Sequence, residues 1–421
     1  MNSEAWWARG RDIIPAGTQT LSKGPNQFVD GVYPKYLTRG QGAYVCDVDG
    51  NWYIDYPMAL GPIILGHAYP RVIEAAARQM TTGTTFTLMH PLEVEVAELL
   101  VDMIPCSEMV RFGKNGSDVT TAAVRIARSY TGRDHIAYCG YHGWQDWYAC
   151  VTQRDAGLPR ELKQWMHPFA WNQTETLEAI FAEYSGGVAA VILEVPGQDP
   201  APGFLEQVQV IARRHGAVLI FDEIVTGFRF ALGGAQQRFG VTPDLACFGK
   251  AMANGFPLSA LVGRRELMRE LERVFFSMTF GGEVVSLAAA KATLEELRER
   301  PVVEHLWSMG MMWRQGFAEL ADHIGAPVRL DGHPPRSGFV FSPVGRYEPL
   351  MLKGLFIQET VKRGVLFGGP IFMTYSHGPD EIQQTLAACG EALDVLVGAI
   401  RDDNVFDCLE GTPPTTVFRP Q

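Results

Sequence analysis

Ala217-Val-Leu-Ile-Phe-Asp-Glu-Ile-Val-Thr-Gly-Phe-Arg229 is the stretch on which the reading of the chain turns. A fully apolar run ends on two carboxylic acids, which is the habit of a strand buried on both faces in a helix-covered parallel sheet. Such a strand delivers Asp222 and Glu223 to its carboxyl end, where open α/β sheets bind ligands. Similar short runs recur on either side, at Met109-Val-Arg-Phe112, His135-Ile-Ala-Tyr138, Ala189-Ala-Val-Ile-Leu193 and Asp244-Leu-Ala-Cys-Phe-Gly-Lys250, with helical stretches between several of them. The pattern predicts an α/β protein with a mostly parallel central sheet sandwiched by helices.

Further out the texture changes. Tyr44-Val-Cys-Asp-Val48 and Trp52-Tyr-Ile-Asp55 flank Asp49-Gly50-Asn51, a hairpin in which Asp-Gly supplies the positive φ of a tight turn. A helix is predicted over Glu283–Arg300 and stopped by Pro301. We therefore expect a large domain over 61–300, a smaller α+β domain over 301–421, and an N-terminal segment, 1–60, that completes the small domain and its entrance. Gly411-Thr-Pro-Pro-Thr415 is expected to be irregular, because two prolines deny it ladder hydrogen bonds.

Composition narrows the function classes. The 421 residues are 47% apolar and 20% charged, and 36 Lys plus Arg against 47 Asp plus Glu leave a net charge of −11. Such a balance carries no electrostatic footprint for nucleic acid or anionic membrane, so neither is an expected partner. No apolar run is long enough to span a bilayer and the N-terminus lacks a signal-peptide pattern, which points to the cytoplasm. Seven cysteines with no CxxC pair suit reduced thiols better than disulfides or zinc, and no metal site is expected.

Three segments could carry chemistry. Lys250 follows a short apolar strand and a glycine, downstream of the strand bearing Asp222. An amine for an imine and a carboxylate for a pyridinium are the pair a Schiff-base enzyme needs, although most such residues at loop starts are merely solvated. In Phe112-Gly-Lys-Asn-Gly-Ser-Asp118 a strand gives way to a glycine turn and then a helix. A helix N-terminus there could bind phosphate, or Ser117 could be only an N-cap with Asp118 in the first turn. Tyr141, held among glycines in Tyr138-Cys-Gly-Tyr-His-Gly-Trp144, could stack on a flat ring or be an ordinary loop aromatic.

Taken in order, Asn115-Gly-Ser-Asp118, Tyr141-His-Gly143, Glu194-Val-Pro196, Asp222–Arg229, Pro243–Lys250 and Thr279-Phe-Gly-Gly282 resemble the pyridoxal-phosphate-dependent class III aminotransferases. The likeness covers nearly the whole chain and is greatest to the glutamate-1-semialdehyde aminomutase branch, notably over Thr226-Gly-Phe-Arg-Phe-Ala-Leu-Gly-Gly-Ala235. It implies a fold-type I transferase in which Lys250 bonds the cofactor, Asp222 pairs with its ring nitrogen, and Ile224 and Tyr141 cover the two ring faces. It further implies that Gly116 and Ser117 hold the phosphate, with Thr279 reaching it from the second subunit of a homodimer with shared sites.

Two departures bear on the substrate. Where aminomutases carry Asn-Ser-Pro-Val-Arg, this chain has Gln19-Thr-Leu-Ser-Lys23, and where they read Phe-Glu-Ala it has Phe372-Met373-Thr374. A lysine does not replace the bidentate fork of an arginine. Trp6, Trp7, Gln19, Thr20, Tyr33, Trp144 and Trp147 suit a hydroxylated ring, or a packed hairpin with ordinary surface residues. The leading expectation is amino transfer from L-glutamate to a sugar or aminoglycoside 6′-aldehyde in antibiotic biosynthesis, by a ping-pong route. Lys23 and Trp144 would meet the acceptor, and Arg229 or Arg336 a donor carboxylate. The alternatives are glutamate-1-semialdehyde 2,1-aminomutase and a non-catalytic scaffold of the same fold.

Overall fold

The computed structural model of the chain describes residues 2–415. In chain order its strands are β1 (Leu37–Gln41), β2 (Tyr44–Asp47), β3 (Trp52–Asp55), β4 (Met109–Gly113), β5 (His135–Cys139), β6 (Met166–Pro168), β7 (Val188–Glu194), β8 (Val218–Asp222), β9 (Leu245–Phe248), β10 (Ser259–Gly263), β11 (Val328–His333), β12 (Arg336–Phe341), β13 (Val365–Leu366) and β14 (Ile371–Phe372). They belong to two compact units, one over Pro70–Val303 and one joining the described residues up to Tyr69 with those from Glu304 onward. The sequence drew its boundaries after residues 60 and 300. Met1 and residues 416–421, which fall in its N- and C-terminal segments, lie outside the described residues.

The Pro70–Val303 unit holds a seven-stranded sheet in the order β4-β10-β9-β8-β7-β5-β6. The pairs β9–β8, β8–β7, β7–β5 and β5–β6 are parallel, whereas β10 runs antiparallel to both β9 and β4. Every residue of β8, β9 and β10 is buried, so the apolar runs are strands covered on both faces. Helix Gly116–Thr131 buries Val119, Ala122, Ala123 and Ile126 at helical spacing and packs over β7 to β10. Alanines at the centre of that stripe let the helix approach the sheet closely. The predicted helix at 283–300 spans Val284–Glu299, shortened because Glu283 is its N-cap and Arg300 its C-cap. Arg71 ties this helix to helix Pro70–Met80 through Glu295, Glu296 and Glu299, at 2.9, 3.1 and 2.7 Å.

The other unit has sheets β1-β2-β3-β13 and β11-β12-β14. In the predicted hairpin, Asp47 accepts from the amides of Asp49 and Asn51 and from the Tyr53 hydroxyl, and Gly50 takes φ +94°. Strand β13 pairs in parallel with β3, so residues from both ends of the chain share one sheet. Its core stacks Tyr56 against His377 and Phe367, with ring centroids 4.7 and 5.0 Å apart. The C-terminal stretch is less irregular than expected. Thr412 exchanges two backbone hydrogen bonds with Asp30 before Pro413 and Pro414 end the pairing.

All seven cysteines are free. Among the described residues no helix is long and apolar enough to cross a membrane, and no group of three or more His, Cys, Asp or Glu residues could hold a metal ion.

Candidate active site

Because only β10 is reversed, the carboxyl ends of β4, β5, β7, β8 and β9 share one edge of the seven-stranded sheet with the start of β10. Asp222 ends β8 and is 4% exposed. Its Oδ1 accepts from the Ile224 amide at 3.1 Å, and its Oδ2 lies 2.8 Å from His142 Nδ1. A proton on Nδ1 completes that second bond, leaving Nε2 buried without a partner among the described residues. The imidazole is held in place by Trp147, stacked at 6.2 Å and 13°, and by the edge-on ring of Tyr148. Thr120 Oγ1 donates to the His142 carbonyl at 2.9 Å. His142 received no role from sequence; its signal was a polar ring inside a glycine-bounded strand-end loop.

Glu223 serves the architecture. It is 1% exposed and accepts from Thr226 Oγ1 and from the amides of Ala235 and Gln236, at 2.8 and 3.0 Å for the amides. Burial pushes its carboxyl upward against the pull of those donors.

Lys250 follows β9 and the extended Gly249, and opens a short 3-10 turn, Lys250–Ala253. Its φ is +40°, in the left-handed region that costs a non-glycine residue about 1–3 kcal/mol and recurs at functional sites. Ile224 stands between two glycines of this edge. A Cβ added to Gly116 would lie 3.1–3.2 Å from the Ile224 side chain, and one added to Gly249 would lie 3.1 Å from its Cδ1.

The Asn115-Gly116-Ser117 turn leads into the 16-residue helix Gly116–Thr131, whose first turn presents amides without intrahelical partners. Asp118 does not block it. Its Oδ2 is turned back onto the amides of Lys114 and Asn115, at 3.1 and 2.7 Å, rather than onto the amides of Gly116 and Ser117. Ser117 Oγ accepts from the Trp144 amide at 3.2 Å, and a Cβ on Gly143 would fall 2.3 Å from that oxygen, so the turn and the aromatic loop touch. Tyr141, in that loop, is 49% exposed and edge-on to Tyr148 at 5.5 Å. Burial, then the Asp222 and Glu194 carboxylates, holds its hydroxyl above the usual tyrosine range.

The structure thus brings Gly116, Ser117, Tyr141, Asp222, Ile224 and Lys250 to one sheet edge. Thr279 is exposed in the segment before helix Val284–Glu299. Trp144 is 67% exposed. Trp147 corrects the expectation of two indoles offered to a substrate. It is buried in the core, with Nε1 donating to Thr121 Oγ1 at 2.9 Å, because the short helix Asp146–Ala149 turns it inward. Arg229 is a second correction. It is completely buried after the left-handed Phe228, φ +61°, and a side chain without exposed surface does not meet an incoming carboxylate. Arg336 opens β12 in the other unit. Lys23 belongs to that unit too, exposed at a cavity of about 380 Å³ with Trp7, Gln19, Thr20 and Tyr36.

The aminotransferase class-III family profile matches residues 29–333. The 3-aminobutyryl-CoA aminotransferase of Cloacimonas acidaminovorans is 36% identical over 405 residues, covering 93% of this chain and 96% of that protein. The glutamate-1-semialdehyde 2,1-aminomutase of Roseiflexus castenholzii is 35% identical over 429 residues, covering 95% and 98%. Among solved structures, the FumI protein of Sphingopyxis sp. MTA144, in a PLP-bound form, superposes with a TM-score of 0.89 at 28% identity, covering 97% of this chain and 98% of that one.

Proposed function

The chain belongs to the class-III aminotransferase family, and from that premise we propose that it moves an amino group from an amino-acid donor, L-glutamate, to the carbonyl of a separate acceptor. It is a pyridoxal-phosphate-dependent enzyme of fold type I. One observation carries the assignment of roles: a strained lysine, a buried acid and an open helix N-terminus share the sheet edge at which Ile224 fills the space left by two glycines. These groups fit the cofactor. The Gly116 and Ser117 amides would hold its phosphate, Asp222 its ring nitrogen, Lys250 its reactive carbon, and Ile224 and Tyr141 its two faces.

When bound, the cofactor supplies an electron-accepting ring that makes the donor's α-proton removable. Asp222 keeps a proton on the ring nitrogen, and its carboxylate is aimed by the His142 ring and the Ile224 amide. Lys250 Nζ would take the α-proton as general base and then, as general acid, deliver it to the cofactor's reactive carbon and not back to the α-carbon. Tyr141 remains a neutral phenol, as a hydroxyl beside two carboxylates should.

The unit we propose is a homodimer, since an exposed apolar patch of this kind marks a contact surface. Leu88, Met89, Val94, Phe275 and Phe280 are each more than half exposed, and Met89, Val94, Phe276 and Met278 line a cavity of about 510 Å³ beside Thr279. A second copy covering it would bring Thr279 to the partner's phosphate. Free thiols suit a reducing cytoplasm.

For the acceptor we propose the 6′-aldehyde of a sugar or aminoglycoside, supported by the exposed Trp144, whose indole offers a flat face to a ring in the loop that carries Tyr141. The second reading, an aminomutase, is favoured by the 35% identity to a protein of that name. One experiment separates them. The cofactor-loaded protein is given L-glutamate and then oxidised aminoglycosides, 3-oxoacyl-CoA thioesters or glutamate 1-semialdehyde, with products read by mass. Amination of the sugar aldehyde with release of 2-oxoglutarate is expected. Isomerisation of the semialdehyde without a donor would promote the aminomutase, and amination confined to the thioester would reassign the acceptor.

A further inference from the structure

A partly buried ion pair, unused by the chemistry above, stands between the phosphate turn and the Thr279 loop. Lys114 Nζ lies 2.9 Å from Glu283 Oε2, with side chains only 15% and 17% exposed. Neither end is loose. The Lys114 amide donates to Asp118 Oδ2, the Asn115 amide donates to the same oxygen, and the Asn115 carbonyl accepts from Ser259 Oγ at 2.9 Å. On the other side Glu283 caps helix Val284–Glu299, Oε1 accepting from the Val285 amide at 2.7 Å and Oε2 from the Ser286 amide at 3.2 Å. Its own amide donates to the Phe280 carbonyl at 3.2 Å and so closes the Thr279–Gly282 loop. The next amide, Val284, reaches the Thr84 carbonyl at 3.0 Å.

We propose that Lys114 and Glu283 form a strut that fixes the Asn115-Gly116-Ser117 turn against the Thr279 loop, making both positioning residues for phosphate binding. The inference rests on the reading that Gly116 and Ser117 hold the cofactor phosphate. The strut acts through geometry, and a field effect would have a different sign. Glu283 is an anion near a site for a phosphate dianion. If only the local field mattered, neutralising Glu283 would tighten phosphate binding and neutralising Lys114 would weaken it. In a strut either change frees the same turn, and both weaken binding.

The test uses the full-length protein as wild type, Lys114→Met, Glu283→Gln, the double variant and Lys114→Arg. Equilibrium constants are measured for pyridoxal phosphate and for pyridoxal, which lacks the phosphate, alongside the thermal midpoint without cofactor. Each single neutralisation should raise the pyridoxal phosphate Kd about tenfold, and the double variant no further, as for residues in one contact network. Pyridoxal affinity should stay at the wild-type value, and Lys114→Arg, which keeps the pair, should retain tight binding. Glu283→Gln retains an oxygen for the helix cap. Should Lys114→Met fail to fold, Lys114→Gln takes its place. Tighter or unchanged phosphate binding in Glu283→Gln overturns the proposal, as do effects that add in the double variant. A wild type that binds the phosphate ester no better than pyridoxal instead sinks the phosphate-turn reading, whatever the variants do.

Discussion

Substituting Asn for Asp222 removes a charge while leaving the volume of the side chain almost unchanged. The residue is 4% exposed and each carboxylate oxygen has a donor, the Ile224 amide on Oδ1 and His142 Nδ1 on Oδ2. An amide offers one oxygen in place of two, so in Asp222→Asn one donor meets an NH2 group. That mismatch should lower stability by about 1–3 kcal/mol, the cost of an unsatisfied buried donor. The effect on turnover is separate and larger. Deleting a preorganised group that stabilises developing charge costs about 3–4 kcal/mol, or about a hundred- to a thousandfold in kcat. The assay is single-turnover reaction with L-glutamate at measured cofactor stoichiometry, with the thermal midpoint read in parallel. Turnover near the wild-type value at full cofactor load would refute the argument, and a variant that loses its fold is distinguished by the melt.

Three further outcomes are expected. Borohydride reduction of the cofactor-loaded protein followed by peptide mapping should put the label on Lys250, and a label on Lys114 or Lys291 would sink the assignment. Thr279→Ala should loosen cofactor retention, and mixed dimers of Thr279→Ala with Lys250→Ala should regain one intact site, whereas a fully active monomer would remove the basis for shared sites. His167, 2.8 Å from His135 Nδ1, is pushed down to about 4 by burial and by its neighbour, with the Glu183 carboxylate opposing. Its folded value lies below the unfolded 6.5, so the unfolded chain binds the proton first and stability falls as pH drops from about 6.5 through about 4. His167 is only partly buried, so we discount for solvent and expect about 1–2 kcal/mol, read as a difference in melting between pH 7 and pH 4.5 that His167→Gln abolishes.

The α/β class was legible because a strand covered on both faces must be apolar throughout, and the runs that became β4, β5, β7, β8 and β9 are nearly so. Strand direction is not written in periodicity. Ser259–Gly263 is as apolar as its neighbours yet runs the other way, and it had no place in the sequence reading. The strand-end residues meet because parallel strands finish on one edge, which sequence order could suggest. Which loops touch depends on sheet order. His142 follows β5, whereas Asp222 ends β8, and β7 lies between the two strands. That contact arises only once the loop after β5 crosses the end of β7. Trp147 and Arg229 misled for a related reason, since polar or aromatic residues near a motif look available until a short helix or a left-handed turn faces them inward.

The Asp222-Glu223 pair shows how one dipeptide serves two ends. Successive residues of a strand point to opposite faces, so two adjacent acids cannot share a role. Asp222 closes β8 and takes the His142 ring, and Glu223 turns to the opposite side and collects Thr226 and the amides of Ala235 and Gln236. Those donors belong to the segment that includes the buried Arg229, and a Cβ on Gly234 would lie 2.3 Å from Glu223 Oε2. Glycine is required there by contact and by its φ of +79°. Glu223 therefore anchors the loop that leaves β8, and through the chain it anchors the position of Asp222 and Ile224 as well. Glu223→Gln keeps an oxygen for one of the two amides but sets an NH2 group against the other, a cost of about 1–3 kcal/mol carried by stability. Turnover per folded, cofactor-loaded molecule should change far less than in Asp222→Asn. A variant of Glu223 that melts like wild type yet loses turnover as completely as Asp222→Asn would show that the two acids have been assigned the wrong way round.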